Sequence, residues 1–265
     1  MRNDDAYDNH GHVPEADAII EGWQDTALEW RNIEAAVGRA RLNQPYGEAE
    51  RERFDLFLPA GRPEGLVVFV HGGYWRRFDR QYFSHFAAGL TARGWAVAMP
   101  SYTLAPKARI AAIGLQVARA INAACALVPG GPLILAGHSA GGHLVARADC
   151  ADSDLAPAVA ARLRRVIAIS PVSDLRPLLE TTLNDTLRLD PAEAASESPA
   201  LCAPRGTPTT IWVGAEERPA FLDQARWLEV AWPKARLHIA PGRHHFDVID
   251  PLTDPDSDLV AAILS

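Results

Sequence analysis

From residue 15 to residue 40, Ile20, Trp23, Ala27, Trp30, Ile33 and Val37 recur at steps of three and four. That spacing draws one apolar stripe and predicts a helix over 15–40, with Gly22 tolerated inside it. The pattern then changes period. In RFDLFLP (53–59), Phe54, Leu56 and Leu58 alternate with Asp55 and Phe57, which predicts a half-exposed strand ended by Pro59. Six later runs do not alternate: GLVVFV (65–70), AVAMP (96–100), LILAG (133–137), VIAIS (166–170), TIWVG (210–214) and RLHIA (236–240). Short, nearly continuous apolar runs suit strands covered on both faces. Helical spacing lies between them, at Phe83, Phe86 and Leu90, at Ile110, Ile113, Val117 and Ile121, and at Phe221, Ala225 and Leu228. The alternation predicts an α/β fold, a mostly parallel central sheet flanked by helices on both faces.

No repeat or linker divides the chain, so residues 1–265 are read as a single domain, with 1–45 as an N-terminal helical segment. Only 175–207 breaks the rhythm. Pro177, Pro191, Pro199 and Pro204 punctuate it, and it is either a cap beside a site or a plain surface excursion.

Among these runs, ILAGHSAGGH (134–143) stands apart, because small residues surround Ser139 directly after a buried strand. Gly137-His138-Ser139-Ala140-Gly141 fits G-x-S-x-G, and Gly142-His143-Leu144-Val145-Ala146 continues as a helix. In a nucleophile elbow the serine sits in a strained turn, and small neighbours let strand and helix approach closely. A glycine-rich turn that merely packs, or one that binds phosphate, would explain the motif by itself. A second motif weighs against those readings. His71-Gly72-Gly73-Tyr74-Trp75 follows an earlier strand, where such a loop supplies an oxyanion-hole N–H. Gly73 (with Gly72) and Ala140 are therefore the expected donors, and His71 the residue that ties the loop down.

A serine hydroxyl needs a base. His244 and His245 follow the last strand, in the late position where such folds carry the imidazole. The acid is expected after TIWVG, where Glu217 is the choice and Glu216 and Asp223 compete with it. Tyr74, Trp75 and Tyr102 are candidates to line a pocket for a flat aromatic group, with core packing the alternative for each.

Bulk properties narrow the remaining classes. A formal charge of −7 with no basic stripe argues against nucleic acid as a partner. Cys125, Cys150 and Cys202 form no CxxC pair, the N-terminus MRNDDAYDNH is polar, and no stretch is expected to reach the length of a membrane span. These point to a cytoplasmic protein with no membrane partner. No H-x-x-H, G-x-G-x-x-G or P-loop spacing occurs, so neither a metal nor another cofactor is expected. The sequence leaves monomer and homodimer open.

With these residues assembled, the chain resembles the α/β-hydrolase superfamily. More narrowly it looks like the kynurenine formamidase (arylformamidase) group, which overlaps with small esterases of the hormone-sensitive-lipase type. The matching stretches are HGGYW (71–75), SYTLAP (101–106), GHSAGGHL (137–144), ERPAFLDQA (217–225) and HHFDVID (244–250). The resemblance implies Ser139 as nucleophile, His245 as base and Glu217 as acid, where many relatives carry aspartate. It implies a cap from N-terminal helical residues. It also implies hydrolysis of a small amide through an acyl-serine, of the type that takes N-formylkynurenine to kynurenine and formate. A carboxylesterase for short-chain or aromatic esters is the alternative, and a non-catalytic binding protein of the same fold comes third.

Overall fold

In the computed structural model, which describes residues 3–265, the apolar runs become neighbours in one sheet. Its strands are β1 (Ala40–Pro45), β2 (Arg53–Phe57), β3 (Leu66–Val70), β4 (Ala96–Pro100), β5 (Leu133–His138), β6 (Leu163–Ile169), β7 (Thr209–Gly214) and β8 (Ala235–Ala240). Their order is β1-β2-β4-β3-β5-β6-β7-β8. β1 pairs antiparallel with β2, and β2 with β4; every later pair is parallel.

The continuous runs are explained by burial on two sides. Leu66, Val68 and Val70 of β3 join one core with Leu133 and Leu135 of β5, while Val67 and Phe69 join the opposite core with Ile134 and Ala136. Each fully buried aliphatic or aromatic side chain is worth about 1.5–3 kcal/mol relative to exposure. β8 departs from the expectation. It is an edge strand, and Arg236, His238 and Ile239 face solvent.

Three further expectations are corrected. β2 is not half-exposed: Asp55 lies in its middle, fully buried. A buried carboxylate is tolerated only when paired. Asp55 takes an ion pair from Arg31, another from Arg80 Nε at 3.1 Å, and the backbone N–H of Asn43 at 2.8 Å. That demand also reshapes the first long helix, Ala16–Ala36. Ala16, Ile20, Trp23 and Ala27 face inward as expected, but the inward line then continues through Arg31 and Glu34. Ile33 and Val37 point outward instead, 51% and 54% exposed.

The third correction concerns the helix Ile110–Leu127. Its 18 residues and mean hydropathy of 1.6 match a membrane span in length and composition. Here Ile110, Ile113, Val117, Ile121 and Ala124 pack on the sheet. On its other side Gln116 Oε1 accepts from Thr103 N–H at 2.7 Å, and Arg119 pairs with Glu52.

One buried acid makes stability depend on pH. Asp149 follows the helix Ala140–Ala148 and is fully buried, with Thr207 Oγ1 donating to it at 2.7 Å. Burial pushes its carboxyl from 3.8 up to about 6. The fold therefore favours the protonated acid, and stability falls as pH rises from about 4 to about 6. The Asp250 carboxyl, on a partly exposed residue, is also raised to about 6, by the partial burial of its carboxyl and by the neighbouring Asp247. Asp149→Asn should be more stable than the parent at pH 8, by on the order of 1–3 kcal/mol, with the gain shrinking at pH 4.5. Urea unfolding at both pH values checks this; a variant less stable at pH 8 refutes it.

Candidate active site

β5 ends at His138, and Ser139 follows with φ 57° and ψ −118° before the helix Ala140–Ala148 begins. Ser139 N–H is held by Ile169 O at 2.8 Å, which binds the turn to the neighbouring strand. The turn exists because its glycines lack side chains. A Cβ on Gly141 would lie 1.9 Å from Val70 O, and one on Gly137 would lie 2.3 Å from Gly141 O. Strand, turn and helix therefore approach at backbone distance, and the serine is pushed to the carboxyl edge of the sheet.

The loop after β3 packs directly against it. A Cβ on Gly72 would stand 3.0 Å from Ser139 Cβ, and Gly73 has φ 104°, a conformation that suits glycine. Ala140 N–H, the first of its helix, has no intrahelical acceptor. Beneath the loop, His71 Nδ1 donates to Gly72 O at 2.8 Å, and its ring is stacked 4.5 Å from that of Tyr102. Tyr102 O–H in turn donates to His71 O at 3.1 Å. Burial drives the His71 imidazole down to about 4, so it is neutral and serves as a strut.

From the far side of the sheet comes His245, whose ring lines the same cavity as Ser139, Gly72 and Gly73. Its Nδ1 meets Glu217 Oε2 at 2.6 Å. The other carboxylate oxygen of Glu217 accepts from Ser170 Oγ at 2.5 Å and from Gly214 N–H at 2.8 Å. With Nδ1 committed to the carboxylate, Nε2 is the ring nitrogen left for the serine side. Phe221 packs on the imidazole, with ring centroids 4.5 Å apart. His138 Nε2 donates to the His245 carbonyl at 2.9 Å and anchors the loop that carries this imidazole; burial holds the His138 ring far below its ordinary value. Hydroxyl, imidazole, carboxylate and backbone N–H groups thus gather at one rim, an arrangement able to perform acyl transfer.

The competing residues are placed elsewhere. His244 Nδ1 accepts from the N–H groups of Phe246 and Asp247, so it caps the turn Asp247–Thr253. Glu216 is exposed, and Asp223 pairs with Arg226 on the surface. Of the three aromatic candidates, only Tyr74 lines the cavity, its O–H donating to Tyr7 O at 2.7 Å. Trp75 and Tyr102 do not line it and are corrected to core residues, both fully buried. Trp75 packs edge-on against His143, 5.0 Å between centroids, and Tyr102 supports His71.

The cavity measures about 470 Å³. Two short helices, Asp4–Tyr7 and Asn9–His12, supply one wall, and the 175–207 excursion reaches it only through Thr182 and Leu183. Sequence reasoning did not find Ser170, His138 or Asn9 as site residues. For Ser170 the available signal was a serine at the carboxyl end of VIAIS, the strand beside the acid-bearing loop.

Residues 67–203 match the family described as alpha/beta hydrolase fold. A kynurenine formamidase from Salmo salar is 28% identical over 96% of this chain and 90% of that protein. One from Drosophila melanogaster is 30% identical over 81% of this chain and 77% of its own length. A solved structure described as a candidate thioesterase, from Silicibacter sp. TM1040, is 51% identical over the full length of both chains, with a TM-score of 0.96. Esterase B of Lactobacillus rhamnosis shares the fold with a TM-score of 0.69 over 93% of each chain, at 16% identity.

The two adjacent glutamates give a sharp test. Glu217→Gln should lower hydrolysis of p-nitrophenyl acetate by about 10²–10⁴-fold, because an amide cannot hold the imidazolium. Glu216→Gln should change it less than about threefold, as expected of an exposed side chain away from the imidazole. A reversed ranking in steady-state kinetics would move the acid by one position.

Proposed function

The chain belongs to the alpha/beta hydrolase fold family and is similar to kynurenine formamidases, and we propose that it is a hydrolase that cleaves small N-formyl aryl amides through an acyl-serine at Ser139. The observation that carries this reading is the Glu217–His245 contact of 2.6 Å facing the cavity that Ser139 lines.

Each step is assigned to a group at the cavity rim. Ser139 Oγ attacks the formyl carbon while His245 Nε2 takes its proton. The carbonyl oxygen becomes an oxyanion held by the N–H groups of Gly73 and Ala140, with Gly72 keeping the loop against the serine. Removing one such donor typically costs about 10²–10³ in turnover. His245 then protonates the departing aryl nitrogen as the C–N bond breaks. Water, deprotonated by the same imidazole, attacks the formyl-serine; formate leaves and Ser139 recovers its proton. Glu217 keeps Nδ1–H of His245 in place and stabilises the imidazolium formed twice in the cycle.

The cavity favours a small-molecule substrate with an aromatic part, since Tyr74, Trp23, Phe78 and Phe246 all line it. Neither nucleic acid nor a membrane is proposed as a partner, in line with the charge of −7. A cytoplasmic location is proposed from the three unpaired thiols. A second reading, ester or thioester hydrolysis with the same groups, is favoured by the 51% identity to the candidate thioesterase.

Two measurements separate these readings. N-formylkynurenine and p-nitrophenyl acetate should both be hydrolysed, with the larger kcat/KM on the formamide; rapid ester turnover without formamide turnover would select the second reading. Labelling by a serine-directed fluorophosphonate should disappear in Ser139→Ala, whereas persistent labelling would mean a different nucleophile.

A further inference from the structure

Among the described residues of the cavity wall, Asn9 is a buried side chain with both of its polar atoms unpartnered. Asn9 opens the short helix Asn9–His12, where Asp8 caps the turn by accepting from Gly11 N–H at 2.9 Å. Asn9 is only 4% exposed, yet neither Nδ2 nor Oδ1 has a partner among the described residues. Leaving a buried donor and a buried acceptor unpaired costs their full desolvation, and such groups in native proteins call for an explanation. Core packing does not supply one, because Asn9 lines the cavity that holds Ser139 and His245.

The other unpaired ring nitrogens of that wall have different surroundings. His138 Nδ1 lies against the Gly72 backbone, and His10 pairs through Nε2 with Asp17 at 3.2 Å. The remaining polar groups near Asn9 are also engaged. Asp5 pairs with Arg218, and Tyr7 O–H accepts from Gln224 Nε2 at 3.0 Å. Asn9 therefore presents a free amide beside an aromatic surface formed by Trp23, Phe83 and Phe246. At the mouth, the exposed Arg76 has no ion-pair partner among the described residues.

We infer that Asn9 is a specificity-determining residue: its amide binds a polar substituent on the aromatic leaving group, one that offers both an acceptor and a donor. A ring bearing a ketone and an ammonium–carboxylate side chain satisfies that description. The ketone or ammonium group meets the Asn9 amide, and the carboxylate extends toward Arg76. An unsubstituted anilide fills the same aromatic space and leaves the amide unpaired. A site built to hydrogen-bond a substrate discriminates strongly against the analogue that lacks the group.

The inference rests on the proposed cleavage of aryl formamides, so its test is kept independent of turnover. In a Ser139→Ala background, calorimetry gives the Kd of uncleaved N-formylkynurenine and of formanilide. The prediction is a preference of at least tenfold for N-formylkynurenine. Adding Asn9→Leu should reduce that preference at least tenfold. Asn9→Asp, which keeps the acceptor and loses the donor, should reduce it by a smaller factor. A structural disturbance alone would weaken both ligands together and leave the ratio intact; that result overturns the inference, as does an equal Kd for the two ligands with Asn9 present. If the preference depends on Asn9 while the wild-type enzyme cleaves no formamide, the binding role stands and the reaction assignment falls.

Discussion

A single carboxylate ties the catalytic rim together. Glu217 receives Ser170 from the end of β6, Gly214 N–H from the end of β7, and the His245 ring from the loop after β8. Three segments distant in sequence thereby meet at two oxygen atoms. A buried carboxylate needs such donors, because a polar group left unpaired in the interior is costly. Ser170 Oγ and Gly214 N–H both reach Oε1, which leaves Oε2 for the His245 ring. The same bonds that orient the imidazole thus hold the loop ends in register.

Backbone strain accumulates around that point. Tyr74, Trp75, Phe78, Ser139 and Ser170 all adopt positive φ, between 48° and 68°. Such conformations cost of order 1–3 kcal/mol each and persist only where the surroundings over-determine them. Here the surroundings are the doubly buried strands beneath: β3, β5, β6 and β7 end together, and their loops have little freedom left. The glycines at 137 and 141 act in the same sense, since the contacts they permit are to backbone atoms that cannot move aside. Rigidity of the sheet is converted into placement of the hydroxyl.

This explains why some features were legible in the sequence and others were not. The six apolar runs announced themselves because both faces of their strands are covered, apart from β8. The elbow and the HGG loop were readable because close backbone approach demands small residues at fixed spacing. β1 escaped notice: its residues are alternately half-buried and exposed, and its register with β2 shifts between Arg41 and Gln44. Asp55 was misread as an outward position because an alternating pattern cannot reveal that Arg31 and Arg80 arrive from distant segments to neutralise it. Trp75 was misplaced for a related reason. It adjoins the cavity in sequence, but positive φ at Tyr74 and Trp75 accompanies an indole packed inward against His143. Asn9 carried no signal at all, because its significance lies in what surrounds it.

The N-terminal wall and the chemical groups are anchored by the same three consecutive residues. Glu217 points inward to His245, while its neighbours point outward to the wall. The Glu216 carbonyl bonds His12 Nε2 at 3.1 Å, and Arg218 pairs with Asp5 and bonds its carbonyl. The wall is pinned again by Tyr74 O–H on Tyr7 O, from the loop after β3, and by Thr182 on Asp4 from the excursion. Further attachments come from the helix Pro219–Ala231, where Gln224 Nε2 donates to Tyr7 O–H and the Phe221 ring packs edge-on against that of Tyr7. Wall and rim therefore share their supports: Glu216 and Arg218 hold the two short helices from either side of the residue that meets the His245 ring.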